Sequence, residues 1–152
     1  MKYAIYVRVS KRDMHPENQV LKLKDYAQRQ NWEYTIYEEF ESTRKTRPVK
    51  EALLKELRQK AYDGVLVYKL DRWARSLPEL ALEVKELIDK GIFFVSLMDG
   101  IDLTTATGRL QFHIISSFAE FERDLIRERT MAGLDRARAR GVKLGRPRKT
   151  SV

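Results

Sequence analysis

Four short apolar runs punctuate the first two-thirds of the chain: "KYAIYVRVS" at 2–10, "EYTIYEEF" at 33–40, "VLVYKL" at 65–70 and "IFFVSL" at 92–97. Each is rich in β-branched and aromatic residues and bounded by polar or glycine-containing stretches, which predicts strands. Between consecutive runs lies an amphipathic segment with a proline at or near its start: Pro16, Pro48 and Pro78 in turn. The first helical residue has no use for its N–H, so proline opens a helix without loss. The first predicted helix runs to about Gln30 with Val20, Leu23, Tyr26 and Ala27 on its apolar face; the second buries Ala52, Leu53 and Leu57; the third ends at Gly91. Strictly alternating strands and helices admit few architectures. The expectation is an α/β fold: a central, mostly parallel sheet of four to five strands with flanking helices. Such sheets do their chemistry at the carboxyl ends of the strands.

The last third breaks this alternation. From Thr105 to Arg140 the only glycines are Gly108 and Gly133, and no proline intervenes. Leu110, Ile114, Phe118, Phe121 and Leu125 recur at steps of four, four, three and four, which is one helical stripe. A helix of this extent is about 50 Å long at 1.5 Å per residue. A domain of this size has a radius of gyration of only about 15 Å. Part of the helix is therefore expected to project, and its stripe, with Phe112 beside it, to need a partner. A kink at Gly133 that folds the end back is the alternative. The expected organisation is a catalytic α/β domain over 1–103, a long oligomerisation helix over 104–140 and a basic arm over 141–152.

Charge sharpens that division. The 152 residues carry a net charge of +8, but residues 136–152 hold seven basic residues and no acidic one. The rest of the chain carries 23 basic against 22 acidic residues, so the basicity belongs to the tail. Such a tail fits contact with a phosphate backbone, or a solvated end. There are no cysteines, which excludes disulfides, thiolate nucleophiles and cysteine-rich zinc sites and suits a reducing cytoplasm. No apolar run reaches membrane-spanning length, and the N-terminal "KYAIYV" is too short for a signal-peptide core and continues directly into a motif. No spacing suggests metal ligands.

Two stretches carry charge where the fold puts chemistry. In "YVRVS", Arg8 and Ser10 are two apart on a strand and so point to one side. In "KLDRWARS", Arg72 and Arg75 are three apart; if that segment is a helical turn, they share a face. Two guanidiniums on one face repel unless an anion lies between them, and arginine matches phosphate oxygens in a bidentate fork. Asp71 could orient an arginine, move a proton or cap the turn. Trp73 reads as a packing residue. His15 and His113 lie in a polar loop and within the long helix, so no Ser-His-Asp triad is expected. If Ser10 is a nucleophile, arginines must lower its barrier.

Taken together, "YVRVS", Gln19, "TRP" at 46–48, "KLDRWAR" at 69–75 and "AEFERDLIRERT" at 119–130 resemble the serine site-specific recombinases, the resolvase/invertase family. The resemblance spans Met1 to Gly145. It implies that Ser10 attacks a phosphodiester of double-stranded DNA, forming a 5′-phosphoserine link and releasing a 3′-hydroxyl. It implies that Arg8, Arg72 and Arg75 bind the scissile phosphate, with Arg47 as a further ligand in preference to Arg44. Gln19 and Asp71 would support the site and Lys69 would be an auxiliary cation. Arg123, with Glu122 and Glu128, would join catalysis to assembly on the long helix, which would form a homodimer and a synaptic homotetramer. Arg146 and Arg148 in "GRPRK" resemble the arm that family members lay in the minor groove. No metal, ATP or other cofactor is implied, no membrane partner is expected, and the protein would be DNA-associated in the cytoplasm. Only seven residues follow Gly145, so no helix-turn-helix module is expected in this chain. Two other readings compete: a non-catalytic oligomerising or regulatory protein on a resolvase-like fold, and a metal-dependent nuclease.

Overall fold

The computed structural model describes residues 1–41 and 46–145. The elements follow in the order β1 (Lys2–Val9), α1 (Pro16–Arg29), β2 (Glu33–Phe40), α2 (Pro48–Arg58), β3 (Gly64–Val67), α3 (Leu70–Trp73), α4 (Leu77–Asp89), β4 (Phe93–Ser96), β5 (Ile101–Asp102) and α5 (Ala106–Ala139). One sheet has the order β2-β1-β3-β4-β5. The first four strands pair in parallel, and β5 returns antiparallel, Val95 opposite Asp102. The expected class therefore stands, and β5 supplies the fifth strand.

The order has a physical consequence. The chain steps from β1 outward to β2, then crosses back over β1 to β3 and on to β4. Right-handed crossovers in opposite directions place their helices on opposite faces. Accordingly α1 alone covers one face, packing Leu23 and Ala27 on Tyr3, Ile5, Val7, Leu66 and Val95. On the other face α2, α4 and α5 enclose Tyr6, Val65, Val67, Phe94 and Trp73. The direction reverses between β1 and β3, and the crevice at the carboxyl ends of those two strands is the topological switch point. β1 pairs with β3 only as far as Tyr6 and Val67. Beyond that register β1 runs on to Arg8 while β3 turns aside.

The turn aside differs from the sequence expectation. "VLVYKL" is a strand only to Val67, and Leu70–Trp73 form a single helical turn. Ala74 is extended, with φ −122° and ψ 153°. Arg75 therefore lies off that turn, and the shared helical face expected for Arg72 and Arg75 does not exist. On α2, Ala52 is exposed and Lys50 is buried in its place beside Leu53 and Leu57.

α5 is one continuous helix of 34 residues, unbroken at Gly133. Its buried residues are Gly108, Phe112 and Ala119, with Ile115 partly buried between them. Phe112 is 6% exposed and belongs to the core. It needs no partner, contrary to the expectation. The inward stripe is Gly108–Phe112–Ile115–Ala119, spaced four, three and four. Leu110, Ile114, Phe118 and Phe121 point outward and are 60%, 60%, 52% and 58% exposed. Beyond Ala119 no residue of the helix is buried, so that part projects. No described helix is long and apolar enough to cross a membrane.

Candidate functional site

β1 carries Ser10 to the crevice, and the loop that follows holds it there. The Ser10 amide donates to Asp13 Oδ2 at 2.8 Å, and the Ser10 carbonyl accepts from the Asp13 amide at 3.1 Å. The Ser10 hydroxyl accepts from the Arg12 amide at 3.3 Å. Asp13 also grips Arg72 in a fork, with Nη2 to Oδ1 at 2.9 Å and Nη1 to Oδ2 at 3.3 Å. One carboxylate thus ties the Ser10 backbone to an arginine from the next strand's end. The Ser10 amide, then the Arg72 guanidinium, hold the Asp13 carboxyl below its ordinary range.

Arg8 reaches across from β1 to α3. Its Nη2 donates to the carbonyl of Asp71 at 2.7 Å and its Nη1 to Glu41 Oε1 at 3.2 Å. Its Nε is buried with no hydrogen-bond partner among the described residues. The link to Asp71 is therefore through the backbone. The Asp71 carboxylate caps nothing: Lys69 is the N-cap of α3 and Ser76 that of α4. The first N–H of α3, on Leu70, is satisfied from elsewhere, by Asp99 Oδ2 at 2.8 Å. Lys69, Asp71, Arg75 and Asp99 line an open pocket of about 320 Å³.

Arg47 is the deepest cation of the predicted set, 8% exposed. It precedes Pro48 as the N-cap of α2, but makes no cap bond. Glu39, 2% exposed at the end of β2, caps that helix instead, accepting from the Val49 amide at 2.7 Å and the Tyr6 hydroxyl at 2.9 Å. A carboxylate suits a helix N-terminus, and here it locks α2 onto β1 and β2. Arg47 Nη1 donates to the carbonyl of Trp73 at 2.7 Å. Burial, then the charges of Arg8 and Arg75, hold the Arg47 guanidinium below its ordinary value. Among the described residues no carboxylate pairs with Arg47 or with the side chain of Arg75. The charges of Arg8 and Arg75 both act on the buried Arg47, a field that an anion would relieve.

Other predicted residues sit farther out. Gln19 is buried on α1 with an unpartnered Oε1, and no hydrogen bond ties it to Ser10. Glu122, Arg123 and Glu128 lie on the projecting part of α5 and make no ion pair among the described residues. Arg44, Arg146 and Arg148 fall outside the described residues. Trp73 is fully buried, edge-on to Tyr6 and Phe94 with ring centroids 5.3 and 5.8 Å away, as a packing residue should be. No three His, Asp or Glu among the described residues are grouped as a metal site requires.

Sequence reasoning missed Asp13, Glu39, Lys50, Glu79 and Asp99. Only one left a local signal: Ser76 and Glu79 have the spacing of a capping box, and Ser76 Oγ accepts from the Glu79 amide at 3.3 Å. The Asp13 clamp makes a testable statement. Its folded-state pKa is depressed, so its contribution is full above the unfolded carboxyl value of about 3.9 and is lost as pH falls through the lower folded value. Asp13→Asn should cost about 1 kcal/mol at neutral pH. In thermal unfolding followed against pH, the gap from wild type should begin to narrow only as pH falls below about 4; a gap independent of pH would rule out the charged clamp.

A family model described as "Resolvase, N terminal domain" matches residues 3–143. The resolvase of transposon Tn917 from Enterococcus faecalis is 39% identical over 95% of this chain and 75% of its own length. Serine recombinase gin of Escherichia phage Mu is 44% identical over 95% of this chain and 72% of its own. DNA-invertase hin of Salmonella typhimurium is 51% identical, but over 57% of this chain and 45% of its own length. Among solved structures, the N-terminal catalytic domain of TP901-1 integrase superposes with a TM-score of 0.73 at 37% identity, covering 82% of this chain and 98% of that one. A resolvase family site-specific recombinase from Streptococcus pneumoniae gives a TM-score of 0.75 at 25% identity, covering 91% and 99%.

Proposed function

The chain belongs to the resolvase family, as the catalytic domain of a serine recombinase, and from this we propose that it cuts and rejoins double-stranded DNA through Ser10. Ser10 Oγ attacks the scissile phosphorus, its proton passes to solvent or a nearby base, and a 5′-phosphoserine bond forms. The 3′ oxygen leaves as a hydroxyl after taking up a proton. Religation reverses these steps on a new partner strand, with the bond energy held in the phosphoserine link.

The observation that carries this reading is buried Arg47, held on the Trp73 carbonyl under the charges of Arg8 and Arg75, with no carboxylate among the described residues ion-paired to Arg47 or to the side chain of Arg75. A scissile phosphate placed among them replaces repulsion with bidentate pairing, and more strongly as charge builds in the transition state. Arg72 joins them once the phosphate takes the place of Asp13 in its fork. Asp71 orients Arg8 through its carbonyl, and its exposed carboxylate is the candidate for proton transfer at the leaving oxygen. Lys69 steers the strand and Gln19 supports the loop that holds Ser10. The division of labour follows: 1–103 for chemistry, 104–140 for assembly, and the basic arm over 141–152, with Arg146 and Arg148, for the DNA backbone. DNA places the protein in the cytoplasm.

The full chain, joined at Val152 to a sequence-specific DNA-binding module, should cut a supercoiled plasmid carrying two module sites around a randomised centre. Protein should remain on the 5′ ends and a free 3′-hydroxyl on the other side, equally in chelator. Chelator-sensitive cutting with no attached protein would sink this function.

Assembly is proposed to run through α5 as a homodimer and, on DNA, a synaptic homotetramer, with Arg123 and Glu128 acting across copies. The outward stripe of Leu110, Ile114, Phe118 and Phe121 supports this, since burying each phenylalanine contributes about 2–3 kcal/mol. Phe118→Glu with Phe121→Glu should weaken self-association at least tenfold in sedimentation equilibrium, with far-ultraviolet circular dichroism unchanged. Unaltered association would move the interface elsewhere.

A further inference from the structure

Lys50 is a cation that the predicted site does not use, yet it is one of the most deeply placed polar groups in the molecule, 3% exposed. Its ammonium donates to the Trp73 carbonyl at 2.7 Å, to Glu79 Oε1 at 3.1 Å and to Glu83 Oε1 at 2.9 Å. It also stands 4.7 Å from the centroid of the Trp73 ring. Withdrawing an ammonium and a carboxylate from water costs several kcal/mol each, and a well-packed apolar set of similar volume commonly folds as well or better. Burial of Glu83 shows the cost. Its Oε2 has no partner, and desolvation, moderated by Lys50, pushes its carboxyl above the ordinary value. Stability therefore gives no reason for a lysine here.

Geometry gives one. The Trp73 carbonyl that accepts from Lys50 also accepts from Arg47, at the same 2.7 Å. Glu79, whose Oε1 is held by Lys50, accepts the Arg75 amide on Oε2 at 3.0 Å. The Trp73–Arg75 segment, extended at Ala74, is thus fixed at both ends by one ammonium. Lys50 also sits three residues after Arg47, on the first turn of α2. Without it, Glu79 would be free to turn toward the Arg47 or Arg75 guanidinium and compete with an incoming anion.

We propose that Lys50 is a positioning residue: it sets the spacing of Arg47 and Arg75 and holds the Glu79 carboxylate off them, so that both forks stay open for a phosphate. The assignment to a DNA phosphate rests on the reading given above; the spacing of the two arginines does not.

Lys50→Met alone strands two carboxylates and is apt to unfold, so the informative chain is Lys50→Met with Glu83→Leu, which replaces the buried pair by apolar groups. It should stay folded, with a thermal midpoint within about 5 °C of wild type. Inorganic phosphate, followed by the 15N-edited guanidinium resonances, should move Arg47 and Arg75 with a common midpoint in wild type. In the double variant that midpoint should rise at least tenfold, while the response of Arg72, held by Asp13, stays put. On the plasmid described above, adduct formation should fall about 100-fold with DNA occupancy unchanged. Adding Glu79→Gln should restore at least tenfold of it, which a purely structural role would not do. Unchanged phosphate midpoints, or a wild type in which phosphate moves neither arginine, would overturn the proposal. If wild type forms no adduct but the phosphate midpoints behave as stated, the DNA-cutting reading fails and Lys50 keeps its role. If wild type forms adducts and the folded double variant matches it within threefold, the reverse holds.

Discussion

Replacing Ser10 by alanine should remove the covalent protein–DNA adduct altogether while leaving the fold and DNA occupancy intact. The expectation of intact folding comes from the hydroxyl's few ties. Among the described residues it accepts the Arg12 amide at 3.3 Å, and the loop is held chiefly by the Ser10 amide on Asp13 at 2.8 Å. Losing so weak a bond on a partly exposed loop changes stability by no more than about 0.5 kcal/mol. The expectation for chemistry is the opposite extreme. Arg8, Arg47, Arg72 and Arg75 can bind and polarise a phosphate but none can form the phosphoester. Alanine leaves the electrostatic stabilisation in place with nothing to use it, so adducts should fall by more than about 10³-fold, below detection on a gel. The measurement is the fraction of plasmid 5′ ends carrying protein after denaturation. Adducts that persist in Ser10→Ala would remove Ser10 from its role and send the search to another hydroxyl.

The largest expected loss of stability comes from a residue with no part in the chemistry. Gly108 opens the inward stripe of α5 and lies against β5. A Cβ built there would overlap the backbone carbonyl of Asp102, which cannot swing aside as a side-chain end could. Asp102 is already committed. Its carboxylate accepts the Thr104 amide at 2.8 Å, and its carbonyl accepts the Thr105 hydroxyl at 2.8 Å. Thr105 in turn caps α5, accepting the Gly108 amide at 3.0 Å. Gly108→Ala should therefore cost about 2–3 kcal/mol, the upper part of the range for overpacking. That lowers the thermal midpoint by about 5–10 °C in a chain of this size. Gly133→Ala, on the same helix, is the internal control: its Cβ meets nothing. There the gain in helix propensity should stabilise by about 0.5–1 kcal/mol. Equal effects at the two sites would mean that the seat of α5 yields.

What could be read from the chain, and what could not, follows the range of the forces involved. β1, β2 and the three proline-led helices come from local periodicity, and α5 was visible from Thr105 onward for the same reason. β3 ended three residues early because "YKL" has strand composition but forms no ladder pair past Val67. β5 is two residues long, too short to show a period. On α5 there are two apolar stripes, and spacing alone could not tell which faces the core. The small residues Gly108 and Ala119 around Phe112 were the clue, since a helix seated close on a sheet edge needs them. Of the candidate site, Ser10, Arg8, Asp71 and Arg72 stood out from their place at strand ends, and the fold ties Arg8 to the Asp71 carbonyl and Ser10 to Arg72 through Asp13. The acids and the lysine that arrange them were not. Asp13 reaches Arg72 across 59 residues of sequence and Lys50 reaches Glu83 across 33, and no local pattern encodes such meetings.

The continuous α5 has a mechanical consequence. One end is seated on β5 through Gly108, and about 30 Å of rod extends beyond Ala119 at 1.5 Å per residue. Such a rod is a lever. A tilt of about 5° at the seat carries the free tip, about 46 Å from Gly108, sideways by about 4 Å, roughly three-quarters of a helical turn. Adjustments too small to disturb the sheet are thereby magnified where two molecules would meet. Registry between any paired copies would then be governed less by the tips than by the rigidity of the fulcrum at Asp102.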